Sequence, residues 1–513
     1  MVNSITQAIK VQTVPNASPV TGPKTTKTSI FYLNDTHANL KNIEKLKTAS
    51  DSFDIQTSSE KVDKLKLSAG DFNLGVAKSN ANYAIFAQNS LGIMANAAGN
   101  HEFDLVKKDL VEVLKDNPKY KLLGLNINIP ETSTENKAIK NGITKSYIQE
   151  VNGTKYGVIG LLPFDFALHA THPQEYNDFD VYSIDKTIPL LQNEIDNLKN
   201  QGLNKIIVLS HAGYESDMKL AQSVEGIDII LGGHTHNQIE GIEEGKNLFY
   251  SQKTGEPTII TQAGKDGRYF GVLNLEFNEK GIITSAQNNV NKTEDFQRSP
   301  VMKFFTDKFF GKPVIVGEIK SVENHGNFLI TENPTADFIN DAVRKELNVD
   351  ISIINSGNMR EKFEQGKLTD RDIKAMTPFK NEMGIVSLNE KEIVDALKVG
   401  AKSIADTDGM PGLLQVSGLK YVATKSGEIK EVNFIDKTGK QISIDVNNPN
   451  TFKTYKVAAD AYLTRGGNGY LPDKSQVLEQ KFDFDKDKLV IDFVKKQKEP
   501  FVIKTDGRIT VVD

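Results

Sequence analysis

The chain has no cysteine among its 513 residues. Disulfides, cysteine nucleophiles and thiolate metal sites are therefore excluded. Any metal bound here must rest on imidazole, carboxylate or amide oxygen. Apolar runs of about 18 residues are also missing, so no membrane-spanning helix is expected. There is no excess of positive charge: 62 Lys and Arg stand against 67 Asp and Glu, for a net charge of -5. That balance argues against a general nucleic-acid binder, which carries a basic stripe. Residues 1–28 lack the basic start and long apolar stretch of a signal peptide. Rich in Ser, Thr, Asn, Pro and Val, they are expected to form a flexible tail.

What is present suits a globular protein: 25% charged and 38% hydrophobic residues, on a chain long enough for two or three domains. From residue 29, strand-like runs (29–33, 205–210, 227–231) alternate with helical spacing (40–48, 81–96, 105–114, 185–200). This alternation, with polar residues just after the strands, predicts a layered α/β domain. The polar stretch 288–300 reads as a boundary and 302–310 as a connecting helix. A second block follows, with strands over 314–318 and 351–354 and helices over 335–347 and 390–402. The expected division is 1–28 tail, 29–290 first domain, 291–315 linker and 316–513 second domain.

Five of the eight histidines lie in short motifs that close apolar runs, two of these histidines beside an Asp or Asn, and a Gly-Asp motif stands between them. In order they are Asp35-Thr-His37, Gly70-Asp71, Gly99-Asn100-His101-Glu102, His211 after a buried strand, and Gly233-His234-Thr235-His236. Asp35 and His37, two apart on extended backbone, would point the same way, as would His234 and His236. Singly each motif is commonplace: Gly-Asp is most often a turn, and a histidine ending a strand is most often a hydrogen-bonded core residue. Together, their donor types are those that hard-to-borderline divalent metals need.

Taken in this order, the motifs resemble the calcineurin-like metallophosphoesterases over about residues 29–277, including Gln262-Ala-Gly264. The resemblance implies an α/β/β/α sandwich holding two divalent metals, zinc, manganese or similar. Carried over by motif, one metal is held by Asp35, His37 and His236, and the other by Asn100, His211 and His234, with Asp71 bridging both. A shared carboxylate offsets the repulsion between dications roughly 3.5–4 Å apart. His101, beside the ligand Asn100, then either donates to the transition-state oxygen or protonates the leaving alcohol, with Asp104 as its orienting partner. For Asp104 the bland alternative is a helix cap. His169, His172 and His325 fall outside the motif set and read as ordinary loop residues.

The second block resembles the C-terminal domain of 5′-nucleotidases, an α+β fold, through Asn355-Ser-Gly-Asn-Met-Arg360, Thr377-Pro-Phe379, Gln415-Val-Ser-Gly-Leu419 and Tyr462-Leu-Thr-Arg-Gly-Gly-Asn-Gly-Tyr470. It implies that Phe379 and Tyr462 stack on a base, at about 1–3 kcal/mol per contact. Arg360 would pair with phosphate, while Asn355 contacts the base or orients the arginine, and Asn468 approaches a ribose hydroxyl. Asn468 stands where that pattern usually has Asp, and Thr331 where many members have Arg. Both departures blur the substrate. The expected activity is phosphate release from nucleoside 5′-monophosphates. The alternatives are a 2′,3′-cyclic-nucleotide phosphodiesterase, a UDP-sugar hydrolase, a thiosulfohydrolase or a non-catalytic binding protein. The resemblance further implies a monomer in an extracytoplasmic compartment.

Overall fold

Both faces of the strand Thr26–Leu33 are buried along its apolar half. Ile30 and Tyr32 pack with Val158, Ile207, Leu209, Ile229 and Leu231. Phe31 and Leu33 pack on the other side with Ile43, Leu46 and Phe53, which belong to the helix Leu40–Gln56. Alternate side chains of a strand point to opposite faces, so this sheet lies between a second sheet and a helical layer. The strand Ile206–Ser210 repeats the scheme. Ile207 and Leu209 enter the inter-sheet core, whereas Ile206 and Val208 meet Leu191, Ile195 and Leu220 of an outer helical layer. The result is the expected α/β/β/α sandwich. Two-sided burial also explains why these strands read as unbroken apolar runs.

The computed structural model describes residues 25–58, 61–115, 118–166, 172, 174–323, 326–327, 329–377, 382–405, 412–474 and 480–513. The chain divides into two compact units, Met1–Gly311 and Lys312–Asp513. In the first unit the strands Thr26–Leu33, Asp63–Ser68, Ala95–Ala97 and Lys121–Leu123 run side by side in one seven-stranded sheet, and all are parallel. In the facing six-stranded sheet, Thr154–Leu161, Ile206–Ser210, Ile229–Gly232 and Pro257–Thr261 are parallel neighbours. Parallel packing gathers the carboxyl ends of adjacent strands at one edge, where α/β sheets place their ligands.

The second unit is α+β. Its five-stranded sheet has the order Leu414–Ser417, Ile351–Asn355, Thr454–Asp460, Glu382–Asn389, Gln480–Asp485. The helices Pro334–Glu346 and Glu390–Ala405 contribute to two separate cores.

Several expectations are corrected. The expected tail ends earlier, because Thr26–Thr28 already pair with Leu275–Phe277; residues 1–24 lie outside the described residues. The helical reading of 81–96 stops at Leu91, where Gly92 adopts φ 79 and caps the helix, and Ala95–Ala97 is a strand. The helix Pro300–Phe310 packs into the first unit. Met302 is buried in its core, the hydroxyls of Tyr83 and Thr306 lie 2.8 Å apart, and Phe305 sits 4.5 Å from Phe86 between ring centroids.

Candidate metal centre

The motif residues meet where the strands end. Asp35 and Asp71 follow Thr26–Leu33 and Asp63–Ser68, Asn100 and His101 follow Ala95–Ala97, and His211 and His234 follow Ile206–Ser210 and Ile229–Gly232. Two buried carboxylates sit at the centre. The Asp35 carboxylate lies 3.3 Å from His236 Nε2, 3.8 Å from His211 Nε2 and 3.9 Å from His37 Nε2. The Asp71 carboxylate lies 3.0 Å from His211 Nε2, 3.7 Å from His37 Nε2 and 3.9 Å from His101 Nε2. Three sets converge closely enough to share an ion: Asp35, His37 and His236; Asp35, Asp71 and His211; and His37, Asp71 and His101. His234 packs its ring 5.2 Å from that of His211 and turns Nε2 to Asp165, at 3.1 Å.

The backbone here is not extended, contrary to the expectation for the paired motifs. Asp35, His37, Asp71, His234 and His236 all have positive φ, between 47° and 73°. Asp and His tolerate this left-handed region better than most residues, yet each such position costs of order 1–3 kcal/mol. Fully burying one large aliphatic side chain contributes about 1.5–3 kcal/mol, so the three cores of this unit can sustain the strain. Two glycines make the close approach possible. A Cβ on Gly99 would lie 2.2 Å from Asp71 Oδ1, and one on Gly70, itself at φ 94, 2.4 Å from His211 Nδ1.

Surrounding groups fix each donor. Asn34 donates to Asp35 Oδ2 at 2.7 Å, His37 Nδ1 meets Asp266 at 3.0 Å, and His211 Nδ1 donates to the Ala69 carbonyl at 2.7 Å. Engaging Nδ1 in this way leaves Nε2 of His37 and His211 facing the carboxylates. Glu102 accepts from the backbone N–H groups of Gly99, Asp71 and Phe72 at 2.7, 2.9 and 2.9 Å, which clamps the Asp71 turn to the Asn100 loop. His101 Nδ1 donates to Asp104 at 2.9 Å, and the same carboxylate oxygen accepts from Gly75 N–H at 2.6 Å. Asp104 thus meets the His101 ring at Nδ1, and its backbone N–H also closes the short helix His101–Phe103.

The electrostatics favour a cation. Burial alone would raise the pKa of Asp35, yet the nearby His236 and His211 lower it to about 2. Burial likewise opposes charge on His211, but Asp71 and Asp35 raise it to about 10. Asp71 is also held well below the usual carboxylate range, against burial, chiefly by His211 and His101. The residues fit a divalent metal on an independent ground as well. His37 Nε2 and Asn100 Oδ1 are buried with no hydrogen-bond partner, and each such atom costs about 1–3 kcal/mol unless satisfied.

In the second unit, Asn355 ends the strand Ile351–Asn355, with its buried Oδ1 lacking a hydrogen-bond partner. Arg360 is half-buried and its backbone N–H donates to the Met376 carbonyl at 2.8 Å. Tyr462 is 42% exposed, and its hydroxyl donates to Asn468, which adopts φ 51. These two predicted contacts thus engage each other. Phe379, His169 and His325 lie outside the described residues. His172 is described, and its carbonyl accepts from Glu175 N–H at 2.9 Å.

Four residues escaped the motif reading. Glu102 and Asp266 lay in or just beyond quoted segments but bore no assigned role. Asp460 lies two residues before the Tyr462 motif. It accepts from Leu463 N–H at 2.8 Å and from Asn358 Nδ2 at 2.7 Å, tying the loop that carries Arg360 to the helix that carries Tyr462. Asp165 had no signal at all.

Residues 28–238 match the calcineurin-like phosphoesterase family, and residues 315–473 match the 5′-nucleotidase C-terminal domain. The chain is 26% identical over 496 residues to the trifunctional nucleotide phosphoesterase protein YfkN of Bacillus subtilis, covering 86% of this chain and 32% of that longer protein. It is 28% identical over 444 residues to the snake venom 5′-nucleotidase of Naja atra, covering 79% and 82%. The crystal structure of a 5′-nucleotidase precursor from Thermus thermophilus superposes with a TM-score of 0.76 at 22% identity, covering 95% of this chain and 99% of that one. The sulfate thiohydrolase SoxB of the same genus superposes with a TM-score of 0.70 at 16% identity, covering 96% and 98%. The two structural likenesses establish a shared fold.

Proposed function

We propose, since this chain belongs to the 5′-nucleotidase family that joins a calcineurin-like phosphoesterase to a 5′-nucleotidase C-terminal domain, that it releases phosphate from nucleoside 5′-monophosphates. It is a metal-dependent phosphoric ester hydrolase. The observation that carries the reading is the pair of buried carboxylates ringed by imidazole nitrogens at the strand ends.

We assign two divalent ions to the centre. Asp35, His37 and His236 would hold one, Asn100, His211 and His234 the other, and Asp71 both. When bound, the ions neutralise charge on the phosphate oxygens and make water acidic enough to attack near neutral pH. The remaining steps belong to the chain. Asp104 holds His101 through Nδ1, so that Nε2 is presented to the centre, in place to give its proton to the departing ribose oxygen. Glu102 keeps the Asp71 turn in register with this histidine. In the second unit, Tyr462 offers an exposed ring for a base, and Arg360 supplies a guanidinium for phosphate; Asn355, Phe379 and Asn468 complete the assigned contacts. We further assign a monomer working outside the cytoplasm. The venom relative supports the compartment, and sedimentation of the purified chain tests the oligomeric state.

The likeness to a trifunctional nucleotide phosphoesterase supports testing a broad panel: AMP, UMP, UDP-glucose, 2′,3′-cyclic AMP and an aryl phosphate, with Mn²⁺, Zn²⁺ or Mg²⁺ after chelation. Nucleoside monophosphates should be cleaved best, and only with metal restored. Efficient cleavage of the aryl phosphate with no nucleotide turned over would remove the nucleotide reading. Preference for the cyclic substrate or UDP-glucose would replace it with that alternative.

A further inference from the structure

Three parallel neighbours of the second sheet end side by side, and two of them deliver assigned ligands, His211 and His234. The third, Thr154–Leu161, pairs Leu161 with Ser210, and its Leu161 carbonyl accepts from His211 N–H at 2.9 Å. Four residues beyond this strand stands Asp165. Its two carboxylate oxygens lie 3.1 and 3.3 Å from His234 Nε2. Its Oδ1 is buried although the side chain as a whole is partly exposed.

We infer that Asp165 is a further acidic member of the metal centre, acting on the ion assigned to His234. The inference rests on the two-ion reading above. Its geometric ground is that two donors on one ion, each roughly 2.0–2.2 Å from it, sit about 3 Å apart when they occupy adjacent positions. Asp165 and His234 Nε2 already have that spacing. His234 also differs from its fellow ligands in its surroundings. His211 and His37 touch the Asp35–Asp71 pair, whereas the carboxylate found against His234 Nε2 is that of Asp165. Asp165 therefore supplies, on the sheet-two side, the negative charge that the central pair supplies to the other imidazoles. It adds charge to one ion only, so its loss should make the two ions unequal.

The test is a calorimetric titration of the metal-free protein with Mn²⁺, comparing the unaltered chain with Asp165→Ala, Asp165→Asn and Asp165→Glu. In Asp165→Ala one binding event should weaken by about 10–100-fold, the usual loss for a removed partner of a metal site, with the other unchanged. Asp165→Glu should recover part of the loss and Asp165→Asn less. Two events of unaltered affinity in Asp165→Ala, with the metal-free variant melting as the parent does, would overturn the inference. Equal weakening of both events, or a lowered melting temperature in the metal-free state, would overturn it in favour of a structural role. Fewer than two events in the unaltered chain would instead overturn the two-ion reading itself.

Discussion

Three buried carboxyl groups of the metal centre contrast with two of the second unit, whereas burial raises Asp217, Asp228 and Glu102 of the first unit as well. At the centre, Asp35, Asp71 and Asp266 are all held below the ordinary carboxylate range, against burial, by imidazoles within contact distance. In the second unit, burial pushes Asp337 up to about 9 and raises Asp460. Arg508 lies 3.6 Å from Asp337, but its guanidinium donates to Asp341 and Asp506, and the neighbouring Glu332 adds repulsion. Burial alone therefore does not create a cation site. The metal centre keeps negative charge in a buried place by interleaving carboxylates with imidazoles, and a metal can inherit that arrangement. In the second unit the buried carboxyl of Asp460 fastens a loop to a helix.

The largest effect that would sharpen this contrast is expected from His101→Ala. Turnover should fall by about 10²–10⁴-fold, the usual share of a general acid, while metal content measured by mass spectrometry stays near that of the parent. Loss of an ion together with activity would move His101 into the ligand set, a place its proximity to His37 and Asp71 permits. Glu102→Ala should act through metal affinity, which is expected to drop by about 10–100-fold as the Asp71 and Gly99 N–H groups lose their acceptor. Unchanged metal retention on dialysis would show that the turn holds without its clamp.

In the second unit, Tyr462→Ala should raise KM for nucleotides by an amount corresponding to about 1–3 kcal/mol of lost stacking, with little change in kcat and none for an aryl phosphate. Equal damage to both substrates would exclude a stacking role. The remaining effect is one of pH. Folding raises the Asp337 pKa to about 9 from an unfolded value near 3.9. Between these values the folded chain keeps a proton that the unfolded chain has released. Its contribution to stability is thus present at low pH and is lost as pH rises toward 9. Asp337→Asn, neutral at every pH, should flatten that slope in denaturant titrations across the range. A slope identical to the parent's would mean that Asp337 is ionised beside Arg508.

Much of the metal centre was legible from the chain alone, because each donor sits at the end of an apolar strand and its identity is fixed by chemistry. Imidazole, carboxylate and amide in that order admit few other uses, and the two-sided apolar strands announce a layered sandwich. The left-handed backbone at Asp35, His37, Asp71, His234 and His236 was not legible, since Asp and His are also ordinary in extended segments. The 81–96 stretch misled because alanines and apolar residues serve a helix and a short buried strand equally well; Gly92 decided it.

By itself, the sequence determined the donor types, their order along the chain and the exclusion of thiol chemistry, since these depend only on side-chain identity. Tertiary structure alone decided which donors touch. It placed Glu102 under three N–H groups, set Asp460 between a loop and a helix, and brought Asp165 to His234 across 69 residues of chain. The reason is physical: a carboxylate's role is set by what lies within about 3 Å of it, and in a parallel sheet those neighbours come from strands far apart in sequence.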